Sequence, residues 1–223
     1  MPGQDPEEAV AQAQFYAERG ALAVKPRVDG SLSDRTLIAR ICDAIQGKTF
    51  VAVDANEKCS PAEASWLAGI ARDHGLLFVE EPLPARDLAG HRSLARCTGA
   101  IIATGEHLQG LDEAAPFISE GLCRIIQPDL AMMGGMTECL RVTRLAEALG
   151  IEVAPHFLPN LFVHLAAVSP NVTWLEDFPL LEPLFANLKE FDANGKMTLR
   201  DLTGHGLAWA SGARQDFRIS DAS

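Results

Sequence analysis

The sequence predicts an α/β fold built on a parallel sheet. Three observations carry that expectation. Short apolar runs of strand type alternate with longer helical stretches, helix start and stop signals punctuate each repeat, and the strand-type runs themselves read as continuously apolar, as strands buried on both faces do. The 223 residues suffice for one sizeable core, so a single main domain is the starting assumption.

In chain order, Asp5 reads as an N-cap, Pro6 as the first helical residue and Glu7 and Glu8 as the first turn of a helix that stops at Gly20. Residues 21–25 are short, apolar and end in a charge, as a buried strand does where it emerges at a face. A helix over 33–46 precedes a strand over 50–53. Ser60, Pro61 and Glu63 form a capping box for a helix ending near Gly75, ahead of a strand over 76–79. Further strands are expected over 100–104, 124–127, 151–154 and 172–175, with helical patterns between them, notably 136–149 closed by Gly150. That makes seven strands. Such repeats build either a closed barrel or an open doubly wound sheet, and the lack of a glycine-rich phosphate loop after an early strand weakens the open sheet. After Glu176 the pattern changes to Pro-, Gly- and Asp-containing segments, with a turn at 192–195. The expected division is a barrel over 1–180 and a tail over 181–223 that packs on it or on a missing capping domain.

The net charge of −11 argues against a nucleic-acid or anionic-membrane partner, since phosphate binding needs clustered Lys and Arg. A small anionic substrate would need a local positive centre such as a metal. The five cysteines are odd in number and widely spaced, which fits reduced thiols in a cytoplasmic protein. No apolar stretch approaches the roughly 20 residues that cross a bilayer.

Six consecutive strands end in a residue of catalytic type: Asp54, Glu80, Glu106, Asp129, His156 and Glu176, spaced 20 to 27 residues apart. Each interval is about one βα repeat, which places all six around the C-terminal mouth of a barrel, where barrel enzymes keep their active sites. Any one of these carboxylates alone reads as a cap or a solvated group. Three on adjacent strands repel one another unless a cation neutralises them, and all-oxygen ligation by Asp54, Glu80 and Glu106 favours Mg²⁺. Asp129 and His156 are placed for a carboxylate to orient an imidazole for acid/base work; the bland alternative is a structural ion pair. Lys25 ends the first strand, with Arg27 two residues on and so on the same side. Near a divalent cation the lysine pKa falls and it becomes a base, whereas arginine stays charged and acts as a clamp; the alternative is a pair of surface cations. Glu176 either contacts substrate or orients Lys25.

The segments AVKPR, VAVDAN, FVEEP, ATGEH, QPDLAMMGGMTE, VAPH and TWLE, in this order over 25–176, resemble the mandelate racemase group of the enolase superfamily. The resemblance implies a TIM-like (β/α)7β barrel lacking its first strand, preceded in family members by a capping domain. It implies Mg²⁺ on Asp54, Glu80 and Glu106, the family's Lys-x-Lys pair at Lys25 and Arg27, its Asp and His dyad at Asp129 and His156, and its last glutamate at Glu176. The superfamily abstracts an α-proton next to a carboxylate and stabilises the enediolate with Mg²⁺. Arg27 stands where racemases of the group carry a second lysine. That departure disfavours a two-base racemase and points to a hydro-lyase acting on a sugar acid, an acid-sugar dehydratase. The resemblance also implies a homo-oligomer.

Overall fold

The computed structural model describes residues 5–188, 191–199, 201 and 203–213. Seven helices alternate with short strands: α1 (Pro6–Glu18), β1 (Ala23–Val24), α2 (Leu32–Ala44), β2 (Phe50–Val51), β3 (Val53–Asp54), α3 (Pro61–His74), β4 (Val79–Glu80), α4 (Leu88–Cys97), β5 (Ile102–Thr104), α5 (Leu111–Ser119), β6 (Ile125–Ile126), α6 (Met136–Ala148), β7 (Glu152–Val153) and α7 (Pro159–Ala166). Every strand pairing in these two sheets is parallel, as short helical crossovers require. β1 pairs with β2, and the chain runs on through Ala52 into β3, which opens the run β3-β4-β5-β6-β7. The expected strand over 172–175 reduces to a bridge between Val172 and Val153, tied by the Thr173 N–H donating to Val153 O at 3.1 Å. Among the described residues it has a strand neighbour on one side only, so no second ladder extends it.

Local chemistry explains the helix ends. The Asp5 carboxylate accepts the Glu7 N–H at 3.0 Å with Pro6 at the first helical position. At α3 the reciprocal capping box is complete: Ser60 Oγ accepts the Glu63 N–H and Glu63 Oε2 accepts the Ser60 N–H at 2.7 Å. Gly75 closes the helix at φ 65°, a conformation that costs glycine nothing. Ser60→Ala removes one acceptor from an otherwise orphaned N–H, and lowers the unfolding free energy by about 1 kcal/mol in chemical denaturation.

Strand side chains alternate between two layers. Val51, Val53, Val79, Ile102, Ile126 and Val153 pack outward with the helices, whereas Ala52, Phe78, Ala103, Ile125 and Ala154 form a separate inner cluster. The three alanines of this inner cluster leave room for neighbouring strands to curve inward. The curve does not close. Among the described residues no strand pairing joins β1 to the Val172 segment, and an open groove of ≈ 1970 Å³ is lined by 21–27 on one side and 172–176 on the other. After Glu176 come a 3-10 helix (Pro179–Leu184), a bridge between Phe185 and Trp209, and the expected turn, where the Gly195 N–H donates to Asp192 O at 2.9 Å. Residues 189–190, 200, 202 and 214–223 of the expected tail lie outside the described residues. The five cysteines are free thiols, three of them buried. Among the described residues no helix is long and apolar enough to cross a membrane.

Candidate active site

The register of the sheet gathers the predicted residues at one end. Asp54 and Glu80 are direct partners across β3 and β4, Asp129 and His156 bridge in the same way beyond β6 and β7, and Arg27 bridges Asp54. All five non-glycine residues with positive φ among those described lie just past strand ends: Asn56 and Glu57, Glu81, and Phe157 and Leu158. Bulky residues hold such a backbone only when their surroundings force it, and such strain clusters at functional sites.

The carboxylates are buried: Asp54 at 4%, Glu80 at 0% and Glu106 at 6% exposure. Their partners are the chain's own cations and amides. Lys25 Nζ lies 2.5 Å from Glu80 Oε1 and 2.8 Å from Glu176 Oε1, and Arg27 Nη1 lies 3.0 Å from Asp54 Oδ2. Gln127 Nε2 donates to Glu80 Oε2 at 2.6 Å, and Asn56 Nδ2 to Glu106 Oε1 at 3.1 Å. Glu106 Oε2 is buried without a hydrogen bond, 3.3 Å from His156 Nε2. Burial, joined by the neighbouring Glu80, Glu81 and Asp54, pushes Glu106 up to about 7 against the pull of His156. Burial likewise raises Glu80, against the pull of Lys25. A cation relieves both causes at once, so the donor set, with its orphaned Glu106 oxygen, fits a hard divalent ion.

The dyad is formed. His156 Nδ1 lies 3.1 Å from Asp129 Oδ2, while Asp129 Oδ1 accepts the N–H groups of Ala131 and Met132, each at 2.8 Å. Burial works to lower the imidazole pKa, but Asp129, Glu106 and Glu176 outweigh it and hold His156 above its ordinary value. Glu176 Oε2 accepts the Phe157 N–H at 2.9 Å, tying the residue after His156 to the carboxylate that also holds Lys25. Burial works to lower Lys25 too, yet Glu80, Glu176 and Asp54 raise it far above the usual range. The sequence expectation of a lowered lysine presupposes a divalent cation beside it; against bare carboxylates the shift runs upward.

A family model described as enolase C-terminal domain-like matches residues 8–213. The chain belongs to that family. This enolase C-terminal domain-like chain is 31% identical over 196 residues to the L-talarate/galactarate dehydratase of Salmonella typhimurium, covering 88% of the chain and 49% of the dehydratase. It is 34% identical over 146 residues to the D-gluconate dehydratase of Thermoproteus tenax, covering 63% and 29%. The chain therefore spans half or less of the length of these curated relatives. The crystal structure of an L-talarate dehydratase from Polaromonas sp. JS666, complexed with Mg and L-glucarate, superposes with a TM-score of 0.89 at 31% identity, over 96% of this chain and 58% of that one.

Sequence reasoning missed the residues that support this set. Gln127 is 3% exposed, yet only Asp129 two positions on was singled out, although strand alternation puts both on one side. Glu81 and His107, the second members of FVEEP and ATGEH, were overlooked because a doublet offers no period to separate ligand from support. Asn56 sits two residues past Asp54, in the run VAVDAN, on the same side of the strand end. Among the described residues the group of three acidic or histidine side chains whose ligand atoms all lie within 4.8 Å is Glu57, Glu81 and His107. Its oxygens already accept hydrogen bonds, from the Ala85 N–H on Glu57 and from Gly105, Thr104 and His107 on Glu81.

Proposed function

We propose that the protein carrying this chain removes the α-proton of a small carboxylate substrate and dehydrates a sugar acid, an aldonate or aldarate, to a 2-keto-3-deoxy acid. The observation that carries the reading is the placement of Lys25 and His156. Lys25, from the first strand, touches Glu80, and His156, from the end of β7, lies 3.3 Å from Glu106, so two proton-transfer groups reach one buried carboxylate set from different sides. The two dehydratases among its relatives, and the Mg and L-glucarate in the solved one, support the same class.

In this reading Asp54, Glu80 and Glu106 hold Mg²⁺, which when bound supplies a Lewis-acid charge for the substrate carboxylate. Asp129 fixes the His156 tautomer and leaves Nε2 to exchange a proton with substrate. Arg27 is paired with Asp54 and stays charged, so it clamps rather than takes protons. Glu176 orients Lys25 and faces the substrate. Two-sided proton exchange would rest on Lys25 alone opposite His156, because Arg27 stays charged, so loss of a β-hydroxyl assisted by His156 suits the site better. In the tail, Ala193 and Gly195 rest against Gly20 and Leu22 just ahead of the first strand, which supports reading 1–180 as the catalytic unit with the tail packed on it.

The test is a screen of the full-length, Mg²⁺-supplied protein against aldonic and aldaric acids, following 2-keto-3-deoxy products. At least one acid yields product. Inversion of 2-hydroxy acids that lack a β-hydroxyl, with no keto product from any sugar acid, moves the assignment to a racemase.

A further inference from the structure

Glu81 has no role in the proton-transfer chemistry, yet it is fully buried and adopts φ 40°, a combination that demands a reason. A buried carboxylate is costly unless its oxygens are satisfied. Here they are satisfied in one particular way. Oε1 accepts the Gly105 N–H at 3.0 Å, with the Thr104 hydroxyl at 3.3 Å, and Oε2 lies 2.6 Å from His107 Nδ1. The two principal partners are the residues on either side of Glu106. Gly105 cannot be replaced by a bulkier anchor: it sits at φ 134°, and a Cβ there would lie 3.0 Å from the Gln127 N and from Ile126 Cδ1. The tripeptide is thus held from Glu81 by one backbone and one side-chain contact, and Asn56 Nδ2 fixes Glu106 Oε1 from a third direction.

We infer that Glu81 is a positioning residue that, through Gly105 and His107, aims the Glu106 carboxylate at the metal site. The inference rests on the metal reading above. It also assigns the Glu57, Glu81 and His107 group as scaffold, since Glu57 Oε1 and both Glu81 oxygens are already engaged by Ala85, Gly105, Thr104 and His107.

The test compares Glu81→Ala with Glu81→Gln in the full-length protein, titrating Mg²⁺ by calorimetry and following thermal unfolding. The amide of Gln keeps an acceptor for the Gly105 N–H and offers a donor where Oε2 accepted, which His107 Nδ1 takes up in its Nε2–H tautomer, so it preserves the clamp while removing the charge. Loss of a group supporting a metal ligand weakens affinity by about 10- to 100-fold. Glu81→Ala is expected to weaken Mg²⁺ binding by about that factor with unchanged stoichiometry, and Glu81→Gln to stay within about threefold of the parent. Three results overturn the inference: parental Mg²⁺ affinity in Glu81→Ala with only a lower Tm, an equal loss in both variants, or a parent that binds two Mg²⁺ where Glu81→Ala binds one. If Glu81→Ala does not fold, His107→Ala removes one arm of the clamp, and parental affinity there overturns the inference as well. If the parent binds no Mg²⁺, the metal reading fails alone, and crystal structures of the variants decide this one. Glu106 displaced in Glu81→Ala and in place in Glu81→Gln supports it; Glu106 unmoved in Glu81→Ala overturns it.

Discussion

His156→Asn in the full-length protein is expected to lower kcat by about 10² to 10⁴-fold, the contribution of a positioned acid/base group. Asn keeps a hydrogen-bonding side chain beside Asp129 and removes the titratable imidazole. The effect should therefore fall on kcat and leave Mg²⁺ affinity close to the parent's, because His156 approaches Glu106 without being one of the proposed ligands. Steady-state kinetics and a Mg²⁺ titration separate the two quantities. A rate within tenfold of the parent would move proton transfer to Lys25, the other titratable base in contact with the carboxylate set.

The order of the elements was legible because each repeat announces itself twice, by an apolar strand and by a cap. Asp5-Pro6, Ser60-Pro61 and Gly75 are local signals, and local hydrogen bonds realise them unchanged. The ring of strand-end residues was legible for a related reason: parallel register carries equivalent positions of successive repeats to one level, as Asp54 against Glu80 illustrates. The support of the site was not. Whether Glu80 or Glu81 turns inward depends on a backbone forced to positive φ, and no pattern in FVEEP encodes that. The truncated pairing at Val172 was equally hidden, since a strand's ladder depends on what lies on its far side rather than on its own β-branched residues.

The upward shift of Glu106 gives the second large effect, in which binding and stability move in opposite directions. For Glu106→Gln, Mg²⁺ affinity should drop by about 100-fold or more, since losing a ligand carboxylate costs at least as much as losing one of its supports. Without metal, the same change should stabilise the fold. The sign follows from linkage: a carboxyl raised from 4.5 in the unfolded chain to about 7 in the fold binds more protons when native, so stability falls as pH climbs through that window. Below pH 4.5 the parent's Glu106 is protonated in both states and the two proteins differ little in this respect; above pH 7 the parent carries an ionised, buried carboxylate beside Glu80 and Asp54, and the amide does not. The expected gain above pH 7 is about 1 to 3 kcal/mol, from roughly 1.4 kcal/mol for each unit of pKa difference, reduced by the attraction to His156 that the amide also loses. Chemical denaturation of parent and variant in chelator at pH 4.5 and pH 8 measures it. Saturating Mg²⁺ should then reverse the ranking at pH 8, because an ion that binds the folded parent more tightly stabilises it more. A variant no more stable than the parent at pH 8 in chelator would mean that Glu106 is held by attraction rather than against repulsion, which removes the electrostatic case for a cation at this carboxylate set.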